Sequence, residues 1–163
     1  MREEWRLLLT GARTAMENMA MDEAVLRCVT AGNSPSTLRF YQWDPSAVSI
    51  GYFQGIEEEV DLEACRQQGV DVVRRLTGGG AVFHDCSGEV TYSLVVREDY
   101  PGIPKKILDS YGVLCGGVVA GLEILGLPAE FKPVNDILVN GKKISGNAQT
   151  RRFNGILQHG TLL

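Results

Sequence analysis

Two Asn-Gly dipeptides, Asn140-Gly141 and Asn154-Gly155, separate three runs that read as strands: Asp136 to Val139, Lys143 to Gln149 and Ile156 to Leu163. Both residues of such a pair accept positive φ, the geometry a two-residue hairpin turn demands, so the C-terminal quarter is constrained to an antiparallel meander. A chain of 163 residues is one domain's length, and the exposed faces of that meander must be covered from elsewhere in it. Thr14-Ala15-Met16-Glu17 forms a capping box that opens a helix to about Ala31, with Ala20, Ala24, Val25 and Cys28 on one face and Gly32 as its stop. Pro104 opens a longer one to about Leu125, with Ile107, Tyr111, Leu114, Val118 and Leu122 as its stripe. A short helix, Leu62 to Gln68, lies between Asp61 and Gly69. Further strands are expected at Trp5 to Leu9, Thr37 to Tyr41, Ala47 to Gly51, Asp71 to Arg75 and Val90 to Val96. The second and third of these are joined by a turn at Asp44-Pro45-Ser46, and Glu57 to Glu59 reads as a solvated turn. The expected class is α+β: a mixed, largely antiparallel sheet with helices largely on one side.

Composition narrows the function. The chain carries 16 Lys+Arg against 20 Asp+Glu, a net charge of −4, and no basic stretch longer than Arg74-Arg75 or Arg151-Arg152, which argues against nucleic acid as a partner. No run of about 18 apolar residues is evident and Met1-Arg2-Glu3-Glu4 does not open a signal peptide, so no membrane partner and a cytoplasmic location are expected. Cys28, Cys65, Cys86 and Cys115 form no Cys-x-x-Cys pair. Cys28 and Cys115 read as small core residues, and Cys86, just after His84-Asp85, is the thiol an imidazole could activate. Glycine is in excess, with 19 residues and no repeat period, so turns or backbone contacts to a ligand must use it.

Three constellations could carry chemistry. The first is Arg74 to Asp85, in which Gly78, Gly79 and Gly80 leave a strand beside Arg75 and His84. Bare backbone N–H groups can converge on an anion, and a guanidinium adds a planar charged fork for phosphate or carboxylate. It is neither a P-loop nor a dinucleotide-binding turn, since both spacings are absent. The second is Asn135-Asp136 with Gly141 to Asn147, where strand alternation puts Lys143, Ser145 and Asn147 on one face. The third is Gln158 to Thr161, with His159 and Thr161 sharing a face. A lone strand histidine reads as a packed, hydrogen-bonded residue before it reads as a catalyst, and context has to decide.

In that order and spacing the three constellations resemble the motifs of the lipoate-protein ligases. Leu38-Arg39-Phe40-Tyr41 and Ile50-Gly51-Tyr52-Phe53-Gln54 also fit, so the resemblance runs from about Leu7 to Leu163. The same superfamily holds biotin protein ligases, which carry an Arg-rich loop where this chain has Thr77 to Gly80. It also holds cysteine-dependent octanoyltransferases, which share Ser49 to Gln54 and Ala148 to Arg151 almost as they stand. The latter place a nucleophilic cysteine shortly upstream of the lysine-bearing strand, where Ala129 to Asp136 has none.

The resemblance implies the biotin/lipoate ligase catalytic-domain fold over residues 1–163, stopping short at the C-terminus and without an accessory domain, so that the chain is expected to be either a fragment or one whose remainder is a separate accessory-domain chain. It implies that lipoate is activated by ATP to lipoyl-AMP and passed to a lysine of a lipoyl-acceptor domain protein. Lys143 would meet the lipoyl carboxylate and phosphate oxygens as the catalytic residue. Arg75 and the amides of Gly78, Gly79 and Gly80 would hold phosphate or acyl oxygens. His84, Asn135, Ser145, His159 and Thr161 would line the acyl-adenylate pocket, and Asp136 would help place Mg²⁺. The alternatives are octanoyl transfer from an acyl-carrier protein, with Cys86 as nucleophile, and a lipoyl-binding module without turnover.

Overall fold

A computed structural model of the chain describes residues 4–163; Met1 to Glu3, part of the stretch judged not to open a signal peptide, lie outside the described residues. The elements in chain order begin with β1 (Arg6–Arg13), α1 (Ala15–Thr30), β2 (Thr37–Trp43), β3 (Ala47–Ile50), α2 (Ile56–Glu59), α3 (Leu62–Gln68) and β4 (Asp71–Arg74). They continue with β5 (Val82–His84), β6 (Val90–Arg97), α4 (Ile107–Ile124), β7 (Ala129–Lys132), β8 (Asp136–Val139), β9 (Lys142–Arg152) and β10 (Gly155–Leu162). Seven strands form one sheet in the order β1-β2-β6-β10-β9-β8-β7, and a second sheet has the order β4-β3-β5. Each sheet has one parallel pair, β1 with β2 and β3 with β4, and is otherwise antiparallel.

The expected α+β class with a largely antiparallel mixed sheet is what the chain adopts, but the helices do not share a side. Val25, Leu26 and Val29 of α1 pack on Val95 and Leu157, whereas Leu114 of α4 packs on Val96 and Ile156. Neighbouring strand residues point to opposite faces, so α1 and α4 sandwich the sheet. β2 and β3 are joined by the expected turn at Asp44 to Ser46, which carries the chain from the large sheet into the small one.

Thr14 caps α1 through the expected box, its side chain accepting from the Glu17 N–H while the Glu17 carboxylate accepts from the Thr14 N–H. The buried stripe of α1 is Ala15, Asn18, Asp22, Val25, Leu26 and Val29. Cys28, expected in the core, is exposed, because it sits a third of a turn off that stripe; Cys115 is buried as expected.

Asn140 and Gly141 take positive φ in the β8–β9 turn. The β9–β10 turn instead uses Phe153 and Asn154, and Arg152 pairs with Gly155. Gly155 is required for another reason: a Cβ there would stand 2.4 Å from Thr30 Cγ2 and 2.8 Å from Leu26 Cδ1, so its bareness lets α1 close on the sheet.

β5 and β7 were not anticipated, and Glu57 to Glu59 form the single turn of α2 rather than an open turn. The 18 residues of α4 have a mean hydropathy of 1.5, enough by length and composition to cross a membrane, which corrects the expectation that no such run exists. Its buried residues are Ser110, Tyr111, Leu114, Cys115 and Leu122, with Tyr111, Leu114, Cys115 and Leu122 packed in the clusters against the sheet, while Ile107, Leu108, Val113 and Ile124 are exposed.

Candidate active site

Between the α1 face of the large sheet and the small sheet lies a cavity of about 470 Å³, within the usual range for small-molecule sites. Tyr41 and Trp43 of β2, Thr91 of β6, and His159 and Thr161 of β10 line it from the large sheet. Ser49 of β3, His84 of β5, Arg75 and the loop from Gly79 to Val82 line it from the small one, and Lys143, Gly146 and Ala148 of β9 close it with Asn135 and Leu163. The three sequence constellations therefore converge on one cavity, except that Gly78, Asp136 and Ser145 are not among its lining residues.

The exception at Ser145 has a structural cause. β8 and β9 slip register, Ile137 facing Ser145 while Leu138 faces Lys143, so Ile144 is an extra residue in the ladder. The bulge breaks the expected alternation. Lys143 stays on the cavity side with Gly146, whereas Ser145 and Asn147 turn toward the α4 side, where Ser145 is fully buried and its Oγ has no partner. Asn147 contributes to the cavity edge while its side chain accepts from Tyr92 Oη and donates to the Asn135 carbonyl oxygen at 2.9 Å. Asn135 returns a bond from its amide nitrogen to the Asn147 carbonyl oxygen at 2.6 Å, clamping the β8 approach onto β9.

Lys143 Nζ lies 2.7 Å from Asp136 Oδ1, with the lysine side chain about half exposed. Among the described residues no group of three or more His, Cys, Asp or Glu side chains is placed to hold a metal ion.

Arg75 directs its fork into the protein. Its Nε donates to Thr77 Oγ1, Nη1 to the carbonyl oxygen and Oγ of Ser49, and Nη2 to the carbonyl oxygens of Gly78 and Gly80. Five acceptors match the five N–H groups of a guanidinium. Arg75 therefore holds the glycine loop in shape by gripping its carbonyls, and Gly79, at φ +96, supplies the left-handed step that lets the loop wrap around it. Burial lowers the Arg75 pKa from its ordinary value.

His159 joins Arg75 to the core of the sheet. Its Nε2 is 2.7 Å from Thr77 Oγ1 and its Nδ1 3.1 Å from Asp22 Oδ2. Asp22 also accepts from Arg39 Nη1 at 2.8 Å, Ser93 Oγ at 2.7 Å and Tyr41 Oη at 3.2 Å. Burial alone would raise the Asp22 pKa, but His159, Arg39 and Ser93 together more than offset it and hold the carboxyl below its usual range. The same burial, with the Asp22 charge adjacent, pushes the Tyr41 hydroxyl well up. A continuous chain of polar contacts thus runs Asp22, His159, Thr77, Arg75, glycine loop.

On the opposite wall His84 Nε2 is 2.8 Å from Ser49 Oγ, and its Nδ1 is 2.7 Å from Glu89 Oε1. Trp43 stacks on the imidazole at 4.0 Å between centroids and 17° between planes.

None of the four cysteines lines the cavity. Cys86 is exposed and donates its backbone N–H to Ser46 Oγ; Cys115 lies under the sheet, where burial pushes its thiol up to about 11.

Sequence reasoning missed Asp22, Thr77, Ser49 and Glu89. Asp22 and Asn18 stand at helical spacing inside the apolar stripe of α1, and a carboxylate at a buried periodic position is the signal that could have found them.

A cavity of small-molecule size with a half-exposed lysine, a backbone loop shaped from behind and buried imidazoles defines a candidate ligand-binding site. The chain belongs to the lipoyl protein ligase A/B catalytic domain family, which it matches over residues 14–163, and it is thereby an enzyme-family member of the lipoate ligase and octanoyltransferase type. Among curated relatives, octanoyltransferase LipM of Kyrpidia tusciae is 45% identical over 183 residues, covering 99% of this chain and 66% of the relative. Among solved structures, the bipartite lipoate protein ligase of Thermoplasma acidophilum, studied with its E2 lipoyl domain, is 38% identical with a TM-score of 0.86, covering 99% of this chain and 62% of that one. A lipoate-protein ligase A with bound ATP is 37% identical with a TM-score of 0.83, covering 98% of this chain and 66% of that one. The chain thus spans about two thirds of the length of the relatives it matches.

Proposed function

We propose that this chain is catalytic machinery of an ATP-dependent lipoate-protein ligase, which converts lipoate to lipoyl-AMP and passes the lipoyl group to a lysine of an acceptor domain. The observation that carries this reading is the cavity itself: it presents Lys143 and no thiol. A transferase that holds its acyl group on cysteine needs a thiolate at the site. An adenylating enzyme needs cationic and backbone donors where carboxylate and phosphate charge meet, and does its work by positioning and electrostatic stabilisation.

In this reading Lys143 bridges the lipoyl carboxylate and the α-phosphate, and Asp136 holds the ammonium at the cavity mouth until substrate takes its place. The loop from Gly79 to Val82 turns backbone toward the substrate while Arg75 fixes its curvature. The donor set suits magnesium in a limited way: Asp136 offers one hard carboxylate, and Mg²⁺ is commonly held by one or two carboxylates with substrate phosphates and water. When bound with nucleotide, the ion supplies neutralisation of phosphate charge. Incubating the chain with lipoate and Mg·ATP, with the remaining portion of the enzyme supplied where required, should yield lipoyl-AMP and pyrophosphate, followed by lipoyl transfer to an apo acceptor domain. Absence of both products would end the reading.

A second reading, octanoyl transfer from an acyl carrier, is favoured by the names of the curated relatives, octanoyltransferase LipM at 45% and 44% identity. It predicts transfer without ATP. Cys86 is a poor nucleophile for it, being exposed and away from the cavity.

A further inference from the structure

Ser49 is used by neither reading, yet it is 2% exposed and lines the cavity. Its surroundings form one connected series of hydrogen bonds. The Trp43 indole N–H, which can only donate, gives its hydrogen to Thr91 Oγ1 at 2.8 Å. The Thr91 hydroxyl then donates to Glu89 Oε1 at 2.9 Å, and the same oxygen accepts the Nδ1–H of His84. A neutral His84 ring so oriented has its lone pair on Nε2, which accepts the O–H of Ser49 at 2.8 Å.

The pairing is built by the small sheet. His84 is registered opposite Ala47, two residues from Ser49 on the same face, so the ring reaches diagonally across the β3–β5 ladder. Arg75 Nη1 donates to Ser49 Oγ at 3.2 Å and sets a permanent positive charge beside an oxygen about to lose a proton. Nucleophile, base and base-orienting carboxylate are therefore in hydrogen-bond sequence on the wall of an acyl-sized cavity, the arrangement that activates a serine hydroxyl on unrelated folds.

We propose that Ser49 is an acyl acceptor, with His84 as its general base and Glu89 as the positioning residue, so that an activated medium-chain acyl group is held as a seryl ester in this cavity. Ser49 Oγ attacks the carbonyl carbon of a thioester or acyl ester while its proton passes to His84 Nε2. The carbonyl re-forms, the bond to the leaving group breaks, and the departing sulfur of a thioester or oxygen of an ester takes the proton from His84. A lysine amine of the acceptor then attacks the ester carbon; its proton passes through His84 to Ser49 Oγ as the ester bond breaks, leaving an amide and free serine. The inference rests on the acyl-chain reading of the cavity but not on ATP, and its test contains no nucleotide, so its failure leaves the adenylation assay unaffected.

The chain is mixed with p-nitrophenyl octanoate, nitrophenolate release is followed, and the protein is then mapped by peptide mass. The proposal expects a stoichiometric burst and the gain of one octanoyl group on the peptide bearing Ser49. The Ser49→Ala variant should lose both, and Ser49→Cys, which keeps a nucleophile of similar shape, should carry the group at the same position. An unlabelled parental chain, label on a lysine or native cysteine instead, label retained at that peptide in Ser49→Ala, or no label at position 49 in a folded Ser49→Cys would each overturn it.

Discussion

Lys143 Nζ and Asp136 Oδ1 stand 2.7 Å apart across the β8–β9 ladder, one residue beyond the bulge at Ile144. The pair is half open to solvent on the lysine side, so its contribution to stability is small, about 1 kcal/mol or less. Lys143 also lines the cavity, where the proposed adenylation chemistry would use it. Lys143→Ala is expected to leave the thermal midpoint nearly unchanged and to slow lipoyl-AMP formation by about 100-fold or more, the scale of losing one aimed electrostatic donor. Calorimetry beside a pyrophosphate-release assay checks both halves.

Asp22 is the opposite case, buried with Arg39 at 0% exposure beside it. Asp22→Asn leaves that guanidinium without its counter-charge and should cost about 3–5 kcal/mol of unfolding free energy, read from denaturant midpoints. The carboxyl is held below its unfolded value, so its contribution is complete above the unfolded pKa of about 4 and is lost as pH falls through the lower folded value. Acid unfolding of the parental chain should accordingly be steeper below about pH 4 than that of Asp22→Asn.

Gly155→Ala should destabilise by about 1–3 kcal/mol through overpacking of α1 against the sheet, because the added carbon would meet Thr30 and Leu26 inside contact distance. Thr30→Ser in the same chain removes the Cγ2 in question and should recover part of the loss in thermal melts.

Cys86 lies on the surface and outside the cavity, and Cys115 titrates near 11. Cys86→Ser is expected to retain acyl transfer at the parental rate, and iodoacetamide at neutral pH should label Cys28 and Cys86 but not Cys115. Loss of transfer in Cys86→Ser would restore the cysteine-dependent mechanism.

Much of the fold was legible where local chemistry dictates local structure. The Thr14–Glu17 box, the Asp61 cap with Gly69 after α3, and the Asn140-Gly141 turn all appear where their residue types demand. What local patterning could not reveal was set by tertiary contact. Alternation placed Ser145 beside Lys143, and only the β8 partner strand exposes the bulge that separates them. Asn154-Gly155 looked like a second turn dipeptide, but close approach of α1 reserves Gly155 for packing and moves the turn to Phe153-Asn154. The three constellations did meet at one cavity, yet two groups that shape it lie outside them, Asp22 far upstream on α1 and Glu89 four residues past Asp85, and both announce themselves only as polar residues at buried positions.

The most direct test of the account is the nucleotide dependence of acyl transfer. The chain, with the remaining portion of the enzyme and an apo lipoyl domain, is given lipoate with Mg·ATP in one arm and octanoyl-acyl carrier protein without nucleotide in the other, and acceptor mass is followed. The ligase reading predicts a lipoyl gain in the first arm that disappears in Lys143→Ala; transfer confined to the nucleotide-free arm would contradict it.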